Sequence, residues 1–129
     1  MSKLDNKKIG SKGEQIAVDY LVKKGYEIIE RNYREKYGEI DIVVRKSEIR
    51  NEKLETVVVF VEVKTKTEEM YGEPWEMINK HKIKQIMQMG NLWCMQNHYH
   101  GLLRIDAVGV WLDQIGLVSR IEHWENVQL

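Results

Sequence analysis

The alternation of hydrophobic and polar residues along the chain predicts two helices and five strands. Helical spacing of apolar residues predicts one helix over residues 11–24, which ends at Gly25, and another over residues 78–97. The first helix opens with Ser11-Lys12-Gly13-Glu14, which has the spacing of a capping box. Strand-like spacing covers residues 26–33, 39–45, 56–66, 102–112 and 117–124. The predicted order of elements is therefore α-β-β-β-α-β-β.

The third predicted strand contains the most continuous apolar run of the chain. Residues 57–61 are valine and phenylalanine, which is typical of a central strand that is covered on both faces. We therefore expect a single α/β domain over residues 1–129, with a mixed central β-sheet flanked by helices. Residues 1–10 are expected to be flexible. Residues 47–55 are polar and aperiodic, and are expected to form the loop of a long hairpin.

The charged residues balance over the whole chain but cluster at one place in it. The chain has 20 Lys and Arg and 20 Asp and Glu residues, so its formal net charge is zero, whereas nucleic-acid-binding domains are usually basic. Lys80, Lys82 and Lys84 nevertheless cluster where the second long helix starts, and free N–H groups at a helix start attract phosphate. These lysines, with Arg34, are the candidate nucleic-acid contacts. Solvated surface side chains are the alternative.

Cysteine content and hydropathy bear on the location of the protein. The only cysteine is Cys94, so the chain forms neither an intramolecular disulfide nor a cysteine-ligated zinc site. No stretch approaches the roughly 18 apolar residues of a membrane span, and residues 1–12 lack the apolar core of a signal peptide. We therefore expect a cytoplasmic protein without membrane contact.

Two charged residues interrupt the apolar run of the third strand. Side chains alternate along a strand, so Glu62 and Lys64 share a face with Val58 and Phe60. Charges on a covered face need partners, because the burial of an unpaired charge is costly. A network of cross-strand ion pairs is the structural alternative. The apolar start of this face favours a functional site.

The second predicted strand supplies a matching carboxylate. Ile40 and Ile42 are expected to share one face of this strand and Asp41 the other. If the second and third strands pair as a hairpin, Asp41 lies beside Glu62, and two adjacent carboxylates repel unless a divalent cation joins them. Lys64 would point into the same pocket, where a lysine can orient water or neutralise charge on a phosphate.

Other polar residues have structural explanations. Arg104 and Asp106 share a strand face and are expected to form an ion pair. His98 and His100 form an H-x-H pair, but no third ligand is evident, so a polar loop is the favoured interpretation. His123 is isolated and is assigned no role.

Several ordered motifs match a known family. Gly38-Glu39-Ile40-Asp41 followed by Val61-Glu62-Val63-Lys64 resembles the D…ExK motif of the PD-(D/E)xK nucleases. More narrowly, the chain resembles the small bacterial endonuclease-like family called YraN, which is similar to archaeal Holliday junction resolvases. The other matching segments include Gly10-Ser11-Lys12-Gly13-Glu14, Arg31-Asn32-Tyr33-Arg34 and Arg104-Ile105-Asp106. One departure is Ile40, which lies where the name of the motif has proline.

The resemblance implies a restriction-endonuclease-like fold and a set of site residues. Asp41, Glu62 and the backbone carbonyl of Val63 would hold Mg²⁺ or Mn²⁺, and Lys64 would lie beside the attacking water. Glu14 matches an additional acidic position of the resolvase-like members, whereas its place in the capping box is the structural alternative. The implied catalytic residues are Glu14, Asp41, Glu62 and Lys64.

The activity implied by the resemblance is Mg²⁺-dependent hydrolysis of DNA phosphodiester bonds, in DNA repair or recombination. Branched or damaged DNA structures are the candidate substrates. The alternative, from a different class, is a nuclease-fold module that binds nucleic acid or a repair partner without cutting, and the zero net charge favours it. The resolvase-like relatives work as dimers, so a homodimer is an open alternative to a monomer.

Overall fold

The computed structural model describes residues 6–67 and 78–127, which form a five-stranded sheet with a helix on each face. The helices are α1 (Asn6–Lys23) and α2 (Lys80–Gln96). The strands are β1 (Glu27–Glu35), β2 (Gly38–Arg50), β3 (Lys53–Thr67), β4 (Leu102–Leu112) and β5 (Val118–Trp124). The predicted order of elements is therefore confirmed. Neither of these helices is long and apolar enough to cross a membrane.

The sheet is mixed, and its strands lie in chain order from β1 to β5. β1, β2 and β3 pair antiparallel, β3 and β4 are parallel, and β5 returns antiparallel to β4. A parallel pair needs a crossover connection, and α2 lies in the connection between β3 and β4. This α/β arrangement is consistent with the restriction-endonuclease-like fold that the sequence motifs implied.

α1 packs on one face of the sheet and buries the apolar stripe that its spacing predicts. Ala17 and Leu21 are fully buried, and they share a core with four alternate residues of β3: Val57, Val59, Val61 and Val63. Gly13 allows a close approach, because a β-carbon at this position would collide with the side chain of Thr65 on β3. The neighbouring Glu14 is thereby brought to the level of the carboxylates on β2.

α2 covers the opposite face, where it packs against the other set of β3 side chains, which includes Val58 and Phe60. Gly90 allows this approach, because a β-carbon there would lie 2.5 Å from the ring of Phe60. Asn79 caps α2 and accepts a 2.9 Å hydrogen bond from the backbone N–H of Lys82. This cap fixes the first turn of α2, from which Lys82 reaches β3.

α1 is longer than predicted. It begins at Asn6, so Ser11 and Glu14 lie in its interior and the predicted capping box is wrong. The extension buries Ile9 in the same core as Ala17, which gives the added turns an apolar contact. The flexibility predicted for residues 1–10 stays a prediction: residues 1–5 lie outside the described part of the chain, and residues 6–10 form the first turns of α1.

The loop predicted over residues 47–55 is wrong as well. β2 and β3 continue through it as a paired ribbon and meet at a turn formed by Asn51 and Glu52. The φ values of these two residues are 48° and 65°, which is the left-handed backbone that two-residue hairpin turns require. Apolar side chains in the ribbon, Ile49 and Leu54, are exposed. Because the ribbon has no buried face, no hydrophobic alternation marks it in the sequence.

Candidate active site

An irregularity in β2 directs Asp41 to Val63 in the C-terminal half of β3. Ile40 packs in the core under α2, whereas Ile42 packs in the core under α1, so the alternation of side chains is broken at Asp41. The prediction that Ile40 and Ile42 share a face is wrong for this reason. The Asp41 carboxylate accepts a 2.8 Å hydrogen bond from the backbone N–H of Val63, which ties it to β3.

Glu62 lies on β3 immediately before Val63, and its side chain is almost fully buried, with 5% exposed. Its nearest cations are Lys82, with Nζ 3.6 Å from Oε1, and Lys64, with Nζ 3.9 Å from the same oxygen. Burial and the negative charge of Asp41 raise the pKa of Glu62 to about 7, although Lys82 and Lys64 act to lower it. Asp41 and Glu62 therefore lie side by side, as the hairpin pairing predicted.

Two further carboxylates adjoin Asp41. One carboxylate oxygen from each of Glu14, Glu39 and Asp41 lies within 4.8 Å of the other two. Burial, and then the charges of Asp41 and Glu39, raise the pKa of Glu14, while Arg31 and Arg34 lower it only in part. Burial also raises the pKa of Asp41 despite its backbone hydrogen bond. Burial and the neighbouring carboxylates thus outweigh the nearby cations in setting the pKa values of Glu14 and Asp41.

Glu39 belongs to this cluster, although it was not predicted as a site residue from the sequence. It lies two residues before Asp41 in the Gly-Glu-Ile-Asp motif, and this spacing on a strand was the available signal. Its Oε1 lies 3.3 Å from Nε of Arg34, whose side chain is 72% exposed. Arg34, a predicted nucleic-acid contact, therefore lies at the rim of the acidic cluster.

The donor set of the acidic cluster fits a hard divalent cation. Carboxylate oxygens are the ligands that Mg²⁺ and Mn²⁺ prefer, and four residues supply them here: Glu14, Glu39, Asp41 and Glu62. Three of these carboxyl groups have raised pKa values, because burial and a neighbouring carboxylate outweigh the nearby cations. Val63 contacts the cluster through its N–H, and the role of its carbonyl as a ligand stays a prediction.

The lysines at the start of α2 do not form one patch. Lys82 contacts Glu62, whereas Lys80 and Lys84 line a groove of about 620 Å³ between α2 and the sheet. Much of the groove is apolar, with side chains that include Phe60, Ile83, Met87, Leu103 and Ile105. Residues two apart on a helix do not face the same way, which separates Lys82 from its neighbours. Of the predicted contacts in α2, Lys82 alone has a contact with the acidic cluster in the described residues.

A second cluster of charge is buried elsewhere in the sheet. Arg104 and Asp106 form the predicted ion pair through two hydrogen bonds of 2.8 Å and 2.9 Å. Arg104 also donates to Glu48 at 2.8 Å and to the hydroxyl of Tyr26 at 2.6 Å. Nε2 of His123 lies 2.8 Å from Asp106, so the prediction that His123 has no role is wrong. Asp106 on β4 comes near His123 only because β4 pairs with β5.

His98 and His100 are exposed in the turn between α2 and β4. Among the residues that the structure describes, Glu14, Glu39 and Asp41 form the group close enough to hold a metal ion, and neither histidine belongs to it. Both residues therefore fit the interpretation as a polar loop.

The chain matches a known protein family over a span that contains the acidic cluster. The profile of the family described as "Uncharacterised protein family UPF0102" matches residues 13–110, a span that includes all four carboxylates of the acidic cluster and Lys64. The chain belongs to the UPF0102 family. This is the YraN family that the sequence motifs resembled.

UPF0102 proteins of several bacteria are similar to this chain over nearly its whole length. One from Pelobacter propionicus is 41% identical over 123 residues, which are 95% of this chain and 83% of that protein. One from Clostridioides difficile is 36% identical over 124 residues, which are 95% of this chain and 98% of that protein. One from Caldanaerobacter subterraneus is 37% identical, with 98% of each chain covered. The similarity to UPF0102 proteins thus extends beyond residues 13–110.

Proposed function

We propose that this UPF0102 protein is a metal-dependent endonuclease that hydrolyses phosphodiester bonds of branched or damaged DNA. The observation that carries the proposal is the convergence of Asp41 and Glu62, from neighbouring strands, with Lys64 beside them. The charge of Asp41 contributes to the raised pKa of Glu62, and perturbed carboxyl groups of this kind cluster at functional sites. The resemblance to the PD-(D/E)xK nucleases supports the same three residues.

Each side chain has a role that its position allows. Asp41 and Glu62 would hold Mg²⁺ or Mn²⁺, and Glu14 and Glu39 are near enough to Asp41 to complete the ligand set directly or through water. A bound divalent cation supplies Lewis acidity and lowers the pKa of a bound water. The side chain of Lys64 is 45% exposed. Its ammonium group, which contacts Glu62, can therefore also reach the incoming substrate. It would donate to a phosphate oxygen and offset the charge that develops there.

Cations at the rim of the site would position the DNA backbone. Arg34 and Lys82 each contact a carboxylate of the cluster and still keep part of their side chain, 72% and 30% respectively, open to solvent. Guanidinium and ammonium groups bind phosphate through charge-assisted hydrogen bonds. The substrate would therefore approach between β1 and the first turn of α2. Lys80 and Lys84 would meet the nucleic acid at the groove between α2 and the sheet, which both residues line.

The proposal is tested by a cleavage assay with purified protein, Mg²⁺ or Mn²⁺, and labelled linear, single-stranded, flapped and four-way DNAs. We expect metal-dependent cleavage, fastest on a branched substrate. Asp41→Ala should lower the rate by roughly three orders of magnitude or more, because loss of the cation removes several kcal/mol of transition-state stabilisation. Asp19→Ala removes an exposed carboxylate from α1 and is the matched control, with cleavage like that of the wild type.

The assay also separates the endonuclease from a non-cleaving module. Metal binding by calorimetry and DNA binding by fluorescence anisotropy are measured on the same samples. Binding of metal and DNA without cleavage of any substrate would favour the module that recognises nucleic acid or a repair partner. A protein that binds neither metal nor DNA would contradict both proposals.

A further inference from the structure

Asn32 occupies an irregular position in β1, next to the acidic cluster. The pairing of β1 with β2 on either side of it places Asn32 at the level of Asp41. Its φ is 54°, in the left-handed region that is uncommon for residues other than glycine and that asparagine tolerates better than most. The side chain of Asn32 is therefore aimed differently from those of its neighbours in the strand.

The side-chain amide of Asn32 bridges two carboxylates of the cluster. With its nitrogen turned toward them, Asn32 donates to Glu14 at 3.2 Å and to Glu39 at 3.0 Å. Both neighbours are acceptors, and the opposite orientation would set the amide oxygen against two oxygens, so the partners determine the orientation. The NH₂ group has two protons, which matches the two carboxylates. One neutral group thus joins α1 to β2 at the site.

We propose that Asn32 is a positioning residue, which holds Glu14 and Glu39 in the arrangement that binds the divalent cation. The inference rests on the metal-dependent function proposed above. A neutral amide draws the two carboxylates together without adding positive charge, so it does not compete with a cation for them. Arg34 forms its ion pair with Glu39, from the exposed side of the cluster. Asn32 is therefore the residue whose loss should release both carboxylates together.

The test compares Asn32→Gly with Asn51→Gly in the full chain, by isothermal titration calorimetry with Mn²⁺. Glycine accepts the left-handed backbone, so each change removes an amide side chain without strain at φ. Asn51 is a matched control because its φ is 48° in the exposed turn between β2 and β3. We expect the Kd for Mn²⁺ to rise about ten-fold or more in Asn32→Gly, as for other groups that orient metal ligands, and to stay unchanged in Asn51→Gly.

A second variant and a second measurement complete the design. Asn32→Ser has a hydroxyl with one proton, so it can keep at most one of the two hydrogen bonds and should bind Mn²⁺ with intermediate affinity. Melting temperatures without metal show that each variant is folded. Wild-type affinity in folded Asn32→Gly or Asn32→Ser would overturn the inference and leave the metal site in place, as would equal losses in Asn32→Gly and Asn51→Gly. Absence of Mn²⁺ binding to the wild type would overturn the proposed function itself.

Discussion

The two clusters of buried charge in this sheet are built in opposite ways. In the cluster on β4, Asp106 is fully buried and is surrounded by donors: the guanidinium of Arg104, the ring of His123 and the backbone N–H of Asn126. Burial acts to raise the pKa of Asp106, but the hydrogen bonds from His123 and Arg104 outweigh it and hold the pKa below its usual value. This cluster neutralises its own charge.

The acidic cluster in the C-terminal half of β3 is built in the reverse way. Glu14, Asp41 and Glu62 all have raised pKa values, with burial as the largest cause and a neighbouring carboxylate among the others. The cations that contact the site, such as Lys64 and Arg34, have exposed side chains and balance it only in part. Perturbed carboxyl groups cluster at functional sites, whereas the partners of Asp106 all belong to the fold itself. This difference is the physical basis for expecting a cation at the acidic site.

The largest loss of stability is expected when the charge cluster on β4 is broken. Arg104→Met leaves Asp106 buried without its principal partner, and such a change typically costs roughly 3–5 kcal/mol in the free energy of unfolding. Urea unfolding at neutral pH measures the loss. Arg45→Met is the matched control, because it removes an exposed ion pair with Glu27 and should cost much less. Equal losses in the two variants would contradict the view that the cluster on β4 serves the fold.

Neutralising Glu62 at the acidic site should stabilise the metal-free protein, whereas breaking the cluster on β4 should destabilise it. The folded-state pKa of Glu62 is about 7 and its ordinary value is 4.5, so between these values the folded metal-free protein binds more protons than the unfolded chain. Its stability should therefore fall as pH rises through this window, by about 2–3 kcal/mol for this one group. Glu62→Gln should remove most of this slope and stabilise the metal-free protein near neutral pH. Urea unfolding at several pH values measures both effects.

The control for this prediction is Glu52→Gln, which neutralises an exposed carboxylate in the turn between β2 and β3. It should keep the wild-type dependence of stability on pH. A wild-type protein whose metal-free stability rises steadily between about pH 5 and pH 7 would contradict the claim that the acidic site is unbalanced.

The smallest expected effect is the contribution of Lys82 to the pKa of Glu62. The ammonium group of Lys82 lowers the pKa of Glu62, so Lys82→Met should raise that pKa further. The carboxyl resonance of Glu62, followed by NMR as a function of pH, measures the change. Lys84→Met removes a lysine that lines the groove instead, and it should leave the Glu62 titration as it is in the wild type.

Much of the fold was predictable because burial leaves a clear pattern in sequence. The valines of β3 predicted a central strand with two covered faces, and β4 was predicted with its observed bounds. Glu62 was recognised because it is a charge at the end of an otherwise apolar face. The exposed ribbon at Asn51 was missed because strands without a buried face carry no such pattern.

The parts of the two clusters that were missed depend on contacts between distant segments. His123 meets Asp106 only because β5 folds back on β4. Glu14 was assigned two roles because Ser11 preceded it at capping-box spacing, and the true start of α1 at Asn6 removes the structural alternative. Asn32 had no signal beyond its place in a motif, since its left-handed backbone cannot be inferred from a strand-like sequence.

The measurement that tests the central claim most directly is the stability of the wild type and of Asp41→Ala at neutral pH, with and without Mg²⁺ or Mn²⁺. A cation that binds the folded protein alone, at a hundred times its Kd, should raise the free energy of unfolding of the wild type by about 2.7 kcal/mol. Asp41→Ala should gain little or nothing. Equal stabilisation of the two proteins, or no stabilisation of the wild type, would contradict the assignment of the acidic site to a divalent cation.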